Sequence, residues 1–272
     1  MRITSGRSAI GSNSAQRWAE FRFYEELNDF LAPPRRRRTF VHGFDGTPAV
    51  KDVIESFGVP HTEVDLILVN GHSVRFAHRL HGRERVAVYP MFERFDIRPL
   101  HRLRPRPLRR PRFVLDVHLG ALARRLRLLG FDALYENNFD DPTLVALSSR
   151  ERRILLTRDV GLLKHGAVTH GHWLRSIKPD AQLREVIAAF HLQRETAPFT
   201  RCLVCNAELR PIARAAVRER VPARVYARRR AFRECVSCKR LYWRGTHYQA
   251  LERLARGVRR VTSDPAYAPG AR

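Results

Sequence analysis

A few aspartates delivered from three points of the chain, and four cysteines in two pairs of like spacing, are the residues of this 272-residue sequence whose types and placement could do chemistry. Phe113-Val114-Leu115 is a short apolar run of the kind buried in a parallel sheet, and Asp116 sits where that run should emerge. Ile154-Leu155-Leu156 is a second such run, with Asp159 just beyond it. Ligands of open α/β sheets gather outside the carboxyl ends of the strands, so both aspartates are expected in one crevice. Asp140 and Asp141 open the helix between the two runs and supply a third approach. Carboxylates crowded together without partners are costly, and hard divalent cations are the usual remedy. Mg²⁺ or Mn²⁺ held by such a set would support metal-assisted hydrolysis of a phosphodiester. Asp116 and Asp159 are the expected direct ligands. Asp141 is a third ligand or the residue that orients the attacking water, with Asp140 as its substitute if the helix starts earlier. Arg158 and Lys164 are candidates for contact with the substrate phosphate.

Each aspartate also has a structural explanation. Asp141 before Pro142 suits a helix N-cap, and Asp159 could cap a turn of helix through Gly161-Leu162-Leu163. Asp116 resists this, because a charge at the end of a wholly apolar strand needs a partner. Asn137 and Asn138 read as turn residues, and His118 as a residue lining the crevice.

Cys202-Leu203-Val204-Cys205 and Cys235-Val236-Ser237-Cys238 use all four cysteines of the chain. Two CxxC knuckles at this separation give two thiolates each to one tetrahedral Zn²⁺, with no position left for water, so the zinc is expected to be structural. A pair of disulfides is the competing reading, disfavoured in a reducing compartment. Arg228, Arg229, Arg230 and Arg233 lie between or beside the knuckles with Tyr226, Phe232, Tyr242 and Trp243, a mixture suited to phosphate contact and base stacking.

The elements that must hold these groups can be read around them. After Asp116, Leu119, Leu122, Leu126 and Leu129 form one face of a helix that Gly130 ends, with Arg124, Arg125 and Arg127 off that face. Its first turn offers amides to a phosphate. A strand over 131–135, the helix opened at Asp140-Asp141-Pro142, and the strand at Ile154 continue a βαβαβ pattern, which predicts a parallel three-layer α/β domain. Asp180 is expected to cap a last helix that buries Leu183, Val186, Ile187 and Phe190. His165, His170 and His172 fit no standard metal spacing.

Charge separates the chain into two parts. Residues 1–97 hold 14 Lys and Arg against 12 Asp and Glu, whereas residues 98–272 hold 37 against 15. Nearly all of the +24 excess therefore belongs to the part that carries the aspartates. A basic surface around an acidic site suits a polyanion drawn to metal ions; an arginine-heavy proteome would give the same count without function. No apolar run is long enough for a membrane span, and residues 1–16 lack the apolar core of a secretory signal, so a disordered lead and the cytoplasm are expected.

Residues 17–97 read as a small β-grasp unit. Trp18, Phe21 and Phe23 begin a strand, the arginines at 35–38 precede an edge strand at Thr39-Phe40-Val41, and Thr47-Pro48 is expected to open a helix burying Val50, Val53, Ile54 and Phe57. Asp65–Val69 and Arg85–Pro90 are further strands, with a tight turn at Asn70-Gly71. The unit resembles ubiquitin-like, sulfur-carrier-like modules. Carriers end in a free Gly-Gly tail, whereas this unit runs on into the Arg- and Pro-rich stretch 98–111, so docking to protein or RNA is expected instead. That stretch is either a solvated spacer or a strand lying along a phosphate backbone.

The phrases FVLDVHLGALARRLRLLGFD, DDPTLVALSSRERRILLTRD, RCLVCNAEL and CVSCKRLYWRGTHY resemble the PIN-like ribonuclease family named for the C-terminal domain of the mutator-seven exonuclease. The resemblance implies a ubiquitin-like β-grasp domain at 17–97, a PIN-like nuclease core at 112–198, a zinc ribbon at 199–261 and a tail at 262–272. It also implies ribonuclease activity, with the acidic positions falling on Asp116, on Asp141 or Asp140, and on Asp159. Many PIN-like sites have a fourth acidic residue, where this chain has Gly161-Leu162-Leu163. The expected function is thus a metal-dependent ribonuclease acting on RNA, including structured RNA such as tRNA or rRNA. The ubiquitin-like domain could serve a protein partner. The alternatives are a non-catalytic RNA-binding or ribosome-associated protein with the same fold, and a ubiquitin-like adaptor joined to an inert remnant.

Overall fold

The computed structural model describes residues 17–90 and 111–245. The expectations for the lead, the Arg/Pro linker and the tail lie outside these residues.

The N-terminal unit comprises β1 (Arg17–Phe23), β2 (Phe40–Phe44), α1 (Val50–Ser56), β3 (Leu66–Val69), β4 (His72–Ser73) and β5 (Arg85–Tyr89). Its sheet runs β2-β1-β5-β3-β4, with β1 and β5 parallel at the centre and the other pairs antiparallel. This is a β-grasp. Phe21, Phe23, Val86 and Val88 alternate onto the face that α1 covers with Val50, Val53 and Ile54. Asn70 and Gly71 both take positive φ, as a two-residue hairpin turn requires. The helix opens later than Thr47-Pro48 would have it, at Val50 after Ala49, and no side chain caps it. Its first amides are met instead by the chain at 76–78, Val50 donating to the His78 carbonyl at 2.8 Å and Lys51 to that of Phe76 at 3.3 Å.

The second unit contains β6 (Arg112–Leu115), α2 (Gly120–Leu128), β7 (Asp132–Leu134), α3 (Asp141–Glu151), β8 (Ile154–Thr157), α4 (Val160–Leu163), β9 (Gly171–Trp173) and α5 (Pro179–Ala189). Its four strands are all parallel, in the order β7-β6-β8-β9. Alternation along β6 and β8 divides the core. Phe113, Leu115, Ile154 and Leu156 meet Leu122 and Leu126 of α2 and Leu183, Val186 and Ile187 of α5 on one face. Val114 and Leu155 meet Leu144, Val145, Leu162 and Leu163 of α3 and α4 on the other. The expected three layers are present. Gly130, at φ +92°, ends α2 where a Cβ would collide with the Ala197 carbonyl.

Three local readings are corrected. The N-cap of α3 is Asp140, whose Oδ1 accepts the Thr143 amide at 2.9 Å; Asp141 is the first helical residue, with Pro142 behind it. The residue before α5 is Lys178, with Pro179 first in the helix, and Asp180 instead pairs with Arg125 at 2.6 Å. Arg127 is not off the packed face but buried, its guanidinium donating to the carbonyls of Ala133, Leu203, Val204 and Tyr135.

Those bonds attach the third unit, a ribbon of β10 (Leu209–Ile212), α6 (Ala223–Arg228), β11 (Phe232–Cys235) and β12 (Leu241–Trp243), in the sheet order β10-β11-β12. Asn206 of the first knuckle accepts the Ala133 amide at 3.0 Å and donates to Asp132 at 2.7 Å, so it closes the free edge of β7. Glu63 of the β-grasp unit does the same at the opposite edge, accepting the Trp173 amide of β9. Each flanking unit thus covers one edge of the parallel sheet that would otherwise invite pairing. Among the described residues no helix is long and apolar enough to cross a membrane.

Candidate functional site

Asp116 and Asp159 leave the carboxyl ends of adjacent parallel strands, β6 and β8, which pair Leu115 with Leu156. Asp116 Oδ1 accepts the Val117 amide at 2.6 Å, and its Oδ2 accepts the Thr157 hydroxyl at 2.7 Å. The same Thr157 Oγ1 accepts the Asp159 amide at 2.9 Å. Asp159 caps α4, its Oδ1 accepting the Gly161 amide at 2.7 Å. One fully buried hydroxyl therefore joins the two turns. Thr157 carries no signal in the sequence, because a threonine ending an apolar strand reads as strand filler.

Asp140 and Asp141 are exposed at the start of α3. Among the described residues no basic side chain forms an ion pair with Asp116, Asp140, Asp141 or Asp159. These acidic groups do not gather as closely as the cysteines do: the group of ligand side chains whose donor atoms all lie within 4.8 Å is the four-cysteine set. Tyr135 stands over the opening of α2, its hydroxyl donating to the Val117 carbonyl at 2.9 Å. A Cβ at Gly120 would come within 2.7 Å of that hydroxyl, so a side chain there would push the Tyr135 ring aside.

The candidate phosphate contacts are placed differently from one another. Arg158 is exposed beside Asp159. Lys164 is turned away into the junction with the β-grasp unit, its Nζ donating to the Glu55 carbonyl at 3.0 Å.

In the ribbon, Cys202 Sγ lies 3.6 Å from Cys238 Sγ, and Cys205 Sγ lies 3.4 Å from Cys235 Sγ. Zinc–sulfur bonds of about 2.3 Å set sulfur–sulfur edges of about 3.8 Å in a tetrahedron, so the four thiols are arranged for one thiolate-bound ion. Burial alone would raise the Cys202 thiol, but the Cys205 amide and the Tyr242 hydroxyl draw it down to about 6. Burial pushes the Cys235 thiol up and the Cys238 thiol up to about 12, so the convergence of the four sulfurs, rather than their acidity, supports a metal.

The ribbon's aromatics are largely occupied in structure. Phe232 is buried, the Tyr242 hydroxyl lies 3.0 Å from Cys202 Sγ, and Tyr226 lies under the Arg214 guanidinium at 4.0 Å. Arg228 and Arg230 are exposed, whereas Arg229 and Arg233 are half-buried, Arg233 donating to the Leu209 carbonyl at 3.2 Å. A groove that the arginine run did not foretell lies between the knuckles. It is lined by Val204, Arg220, Lys239, Arg240, Tyr242 and Trp243.

His172 lies buried between Glu63 of the β-grasp unit and Glu185 of α5, 3.5 Å from each. Burial would lower its pKa, but the Glu63 charge and the Glu185 contact outweigh this and push it up to about 9. Gln182, buried in α5, donates to the Ser176 carbonyl at 2.9 Å, a structural role.

No curated protein and no solved structure gives a match to the chain. Two family models do. Residues 16–96 match the Mut7-C ubiquitin model, and residues 111–255 match the model of the Mut7-C RNAse domain. The second match spans more than half of the chain and takes in both the parallel sheet with its aspartates and the four-cysteine ribbon, so the chain belongs to the Mut7-C RNase domain family, with a Mut7-C ubiquitin domain in front.

Proposed function

We propose that the chain is a metal-dependent ribonuclease whose site is built on Asp116 and Asp159, with a zinc-bound ribbon that grips the RNA. The observation that carries this reading is the Thr157 hydroxyl, which ties the two carboxylate-bearing turns together at the carboxyl end of the sheet, where among the described residues no basic side chain pairs with them. Asp116 and Asp159 would hold Mg²⁺ or Mn²⁺, with Asp141 reaching it through water from the first turn of α3. A divalent cation there supplies a polarised water and neutralises charge at the scissile phosphate. The chain's own groups then have distinct tasks. Thr157 fixes the orientation of one Asp116 oxygen. Asp141, with Asp140 beside it, faces solvent and can orient or deprotonate the attacking water. Arg158 offers a guanidinium to the phosphate next to Asp159.

The ribbon reading rests on four converging thiols and on the groove beside them. Arg220 is held by Glu234 at 2.7 Å and by the Lys239 carbonyl, while Arg240 is exposed and available to phosphate. Three cations and two rings in one groove suit an unpaired stretch of RNA.

The test is cleavage of labelled RNA in Mn²⁺ by the wild type and by Asp116→Asn and Asp159→Asn. Losses of at least about 100-fold in both variants, with RNA binding kept, are expected. Turnover that is absent from the wild type, or that survives both substitutions, removes the enzyme. A non-catalytic RNA-binding protein is the second reading, favoured by the capping bonds that Asp140 and Asp159 already make. It predicts the same RNA affinity with no product.

A further inference from the structure

The β-grasp unit grips a specific part of the second unit. Phe30 packs on Trp173 with ring centroids 4.9 Å apart, and the Arg175 guanidinium lies over both rings while its Nε bonds Asp29 at 2.9 Å. Trp173 faces Thr157 across the β8–β9 pairing, and its indole N–H donates to the Arg158 carbonyl at 3.2 Å. The residue contacted is thus the one immediately before Asp159.

At the other end of α4, the contacts come from one short stretch, residues 55–62. The Thr62 hydroxyl donates to the Leu163 carbonyl at 3.4 Å, and Lys164 Nζ donates to the Glu55 carbonyl at 3.0 Å. His61 Nε2 donates to the Val168 carbonyl at 2.8 Å. A helix of one turn has little stability of its own, because its first and last backbone groups outnumber its internal bonds. The Asp159 cap and these contacts fix its two ends, while Leu162 and Leu163 anchor its middle in the core.

We infer that the β-grasp unit is a built-in positioning element for the nuclease site: it fixes the Asp159 turn from both ends of α4, through Trp173 on the strand side and Lys164 on the helix side. This gives the ubiquitin-like unit an intramolecular task that needs no outside partner. Trp173 and Lys164 are positioning residues, acting through the backbone that carries Asp159. What Asp159 does once positioned rests on the nuclease reading, but the grip on its turn does not.

The experiment is hydrogen exchange on the full chain and on two variants, read alongside RNA cleavage. Trp173→Phe removes the indole donor and keeps a ring against Phe30. Lys164→Met removes the ammonium and keeps the stem. In both, the amides of Asp159 and Gly161 should exchange about 10-fold faster, while those of Val117 and of β1 and β5 stay as in the wild type. Cleavage should fall in kcat with KM for RNA unchanged, whereas loss of a phosphate contact at Lys164 would raise KM. Unchanged protection at 159–161 in both variants overturns the inference. So does a loss spread evenly over both units. A wild type that cleaves nothing refutes the nuclease reading alone, because the exchange result stands without turnover.

Discussion

Thr157 donates its single hydroxyl proton to Asp116 at 2.7 Å and accepts the Asp159 amide at 2.9 Å, so both carboxylate-bearing turns depend on one buried oxygen. A valine has nearly the same shape and neither bond. Thr157→Val should therefore keep the sheet while freeing the Asp116 carboxylate to rotate. We expect cleavage to fall about 10- to 100-fold and stability by about 1–2 kcal/mol. Thr157→Ser restores the hydroxyl and should recover activity to within a few-fold. A fully active valine variant would show that the bridge has no part in the chemistry.

The groove between the knuckles gives a second test. Each phosphate contact releases counterions, with a slope of about 0.7 per contact for single strands. Lys239→Gln with Arg240→Gln should lower the salt dependence of RNA binding by about 1.4 in slope. Arg228→Gln with Arg230→Gln lies outside the groove residues and should change it less. Equal effects from the two pairs would mean that the ribbon binds as a diffuse basic surface.

The placement of Asp116 and Asp159 beyond the carboxyl ends of neighbouring strands was legible in sequence, because each follows a short apolar run, and so was the capping role that Asp159 takes before Gly161. The knuckles were legible because CxxC pairing has few readings once every cysteine is used. Arg127 was not. Nothing in ARRLRLLG separates it from Arg124 and Arg125, and its burial is decided in part by the carbonyls of Leu203 and Val204, 76 and 77 positions later in the chain. His172 was opaque for the same reason, since Glu63 approaches from the other domain. The caps erred by one or two residues where Asp-Asp-Pro and Lys-Pro-Asp each offered more than one start. Backbone geometry, not residue type, chose between them.

Arg127 should be the pin between core and ribbon. Arg127→Met fills similar volume but takes the donor from the buried Ala133 carbonyl and from the part-buried Leu203 and Val204 carbonyls, and a buried unsatisfied acceptor costs about 1–3 kcal/mol. We expect the ribbon to undock while keeping its metal: one zinc per chain by elemental analysis, with new protease cleavage near residue 200. Cys205→Ser should do the reverse in the first assay, losing the zinc. Zinc lost in the arginine variant, or retained in the serine variant, would contradict the separation of the two roles.

The His172 cluster predicts how stability responds to pH. Glu63 faces the imidazole from the β-grasp unit and Glu185 from α5, with the Arg175 cation opposing them. Because its pKa is raised to about 9 in the fold, His172 contributes stability that is complete below the unfolded value near 6.5 and is lost as pH rises through about 9. Glu185 runs the other way. The His172 contact and the amides of Arg175 and Ser176 outweigh its burial and hold it down to about 2, so its contribution is present above about 4.5 and lost as pH falls through 2. Both contributions are complete only between about pH 4.5 and 6.5. Denaturant unfolding of the zinc-saturated chain should therefore weaken by a few kcal/mol from pH 6.5 to 9.5, and His172→Gln should be less stable at pH 6 with a flatter alkaline limb. An alkaline limb equally steep in the glutamine variant would assign the titration to another group and leave the domain junction insensitive to pH.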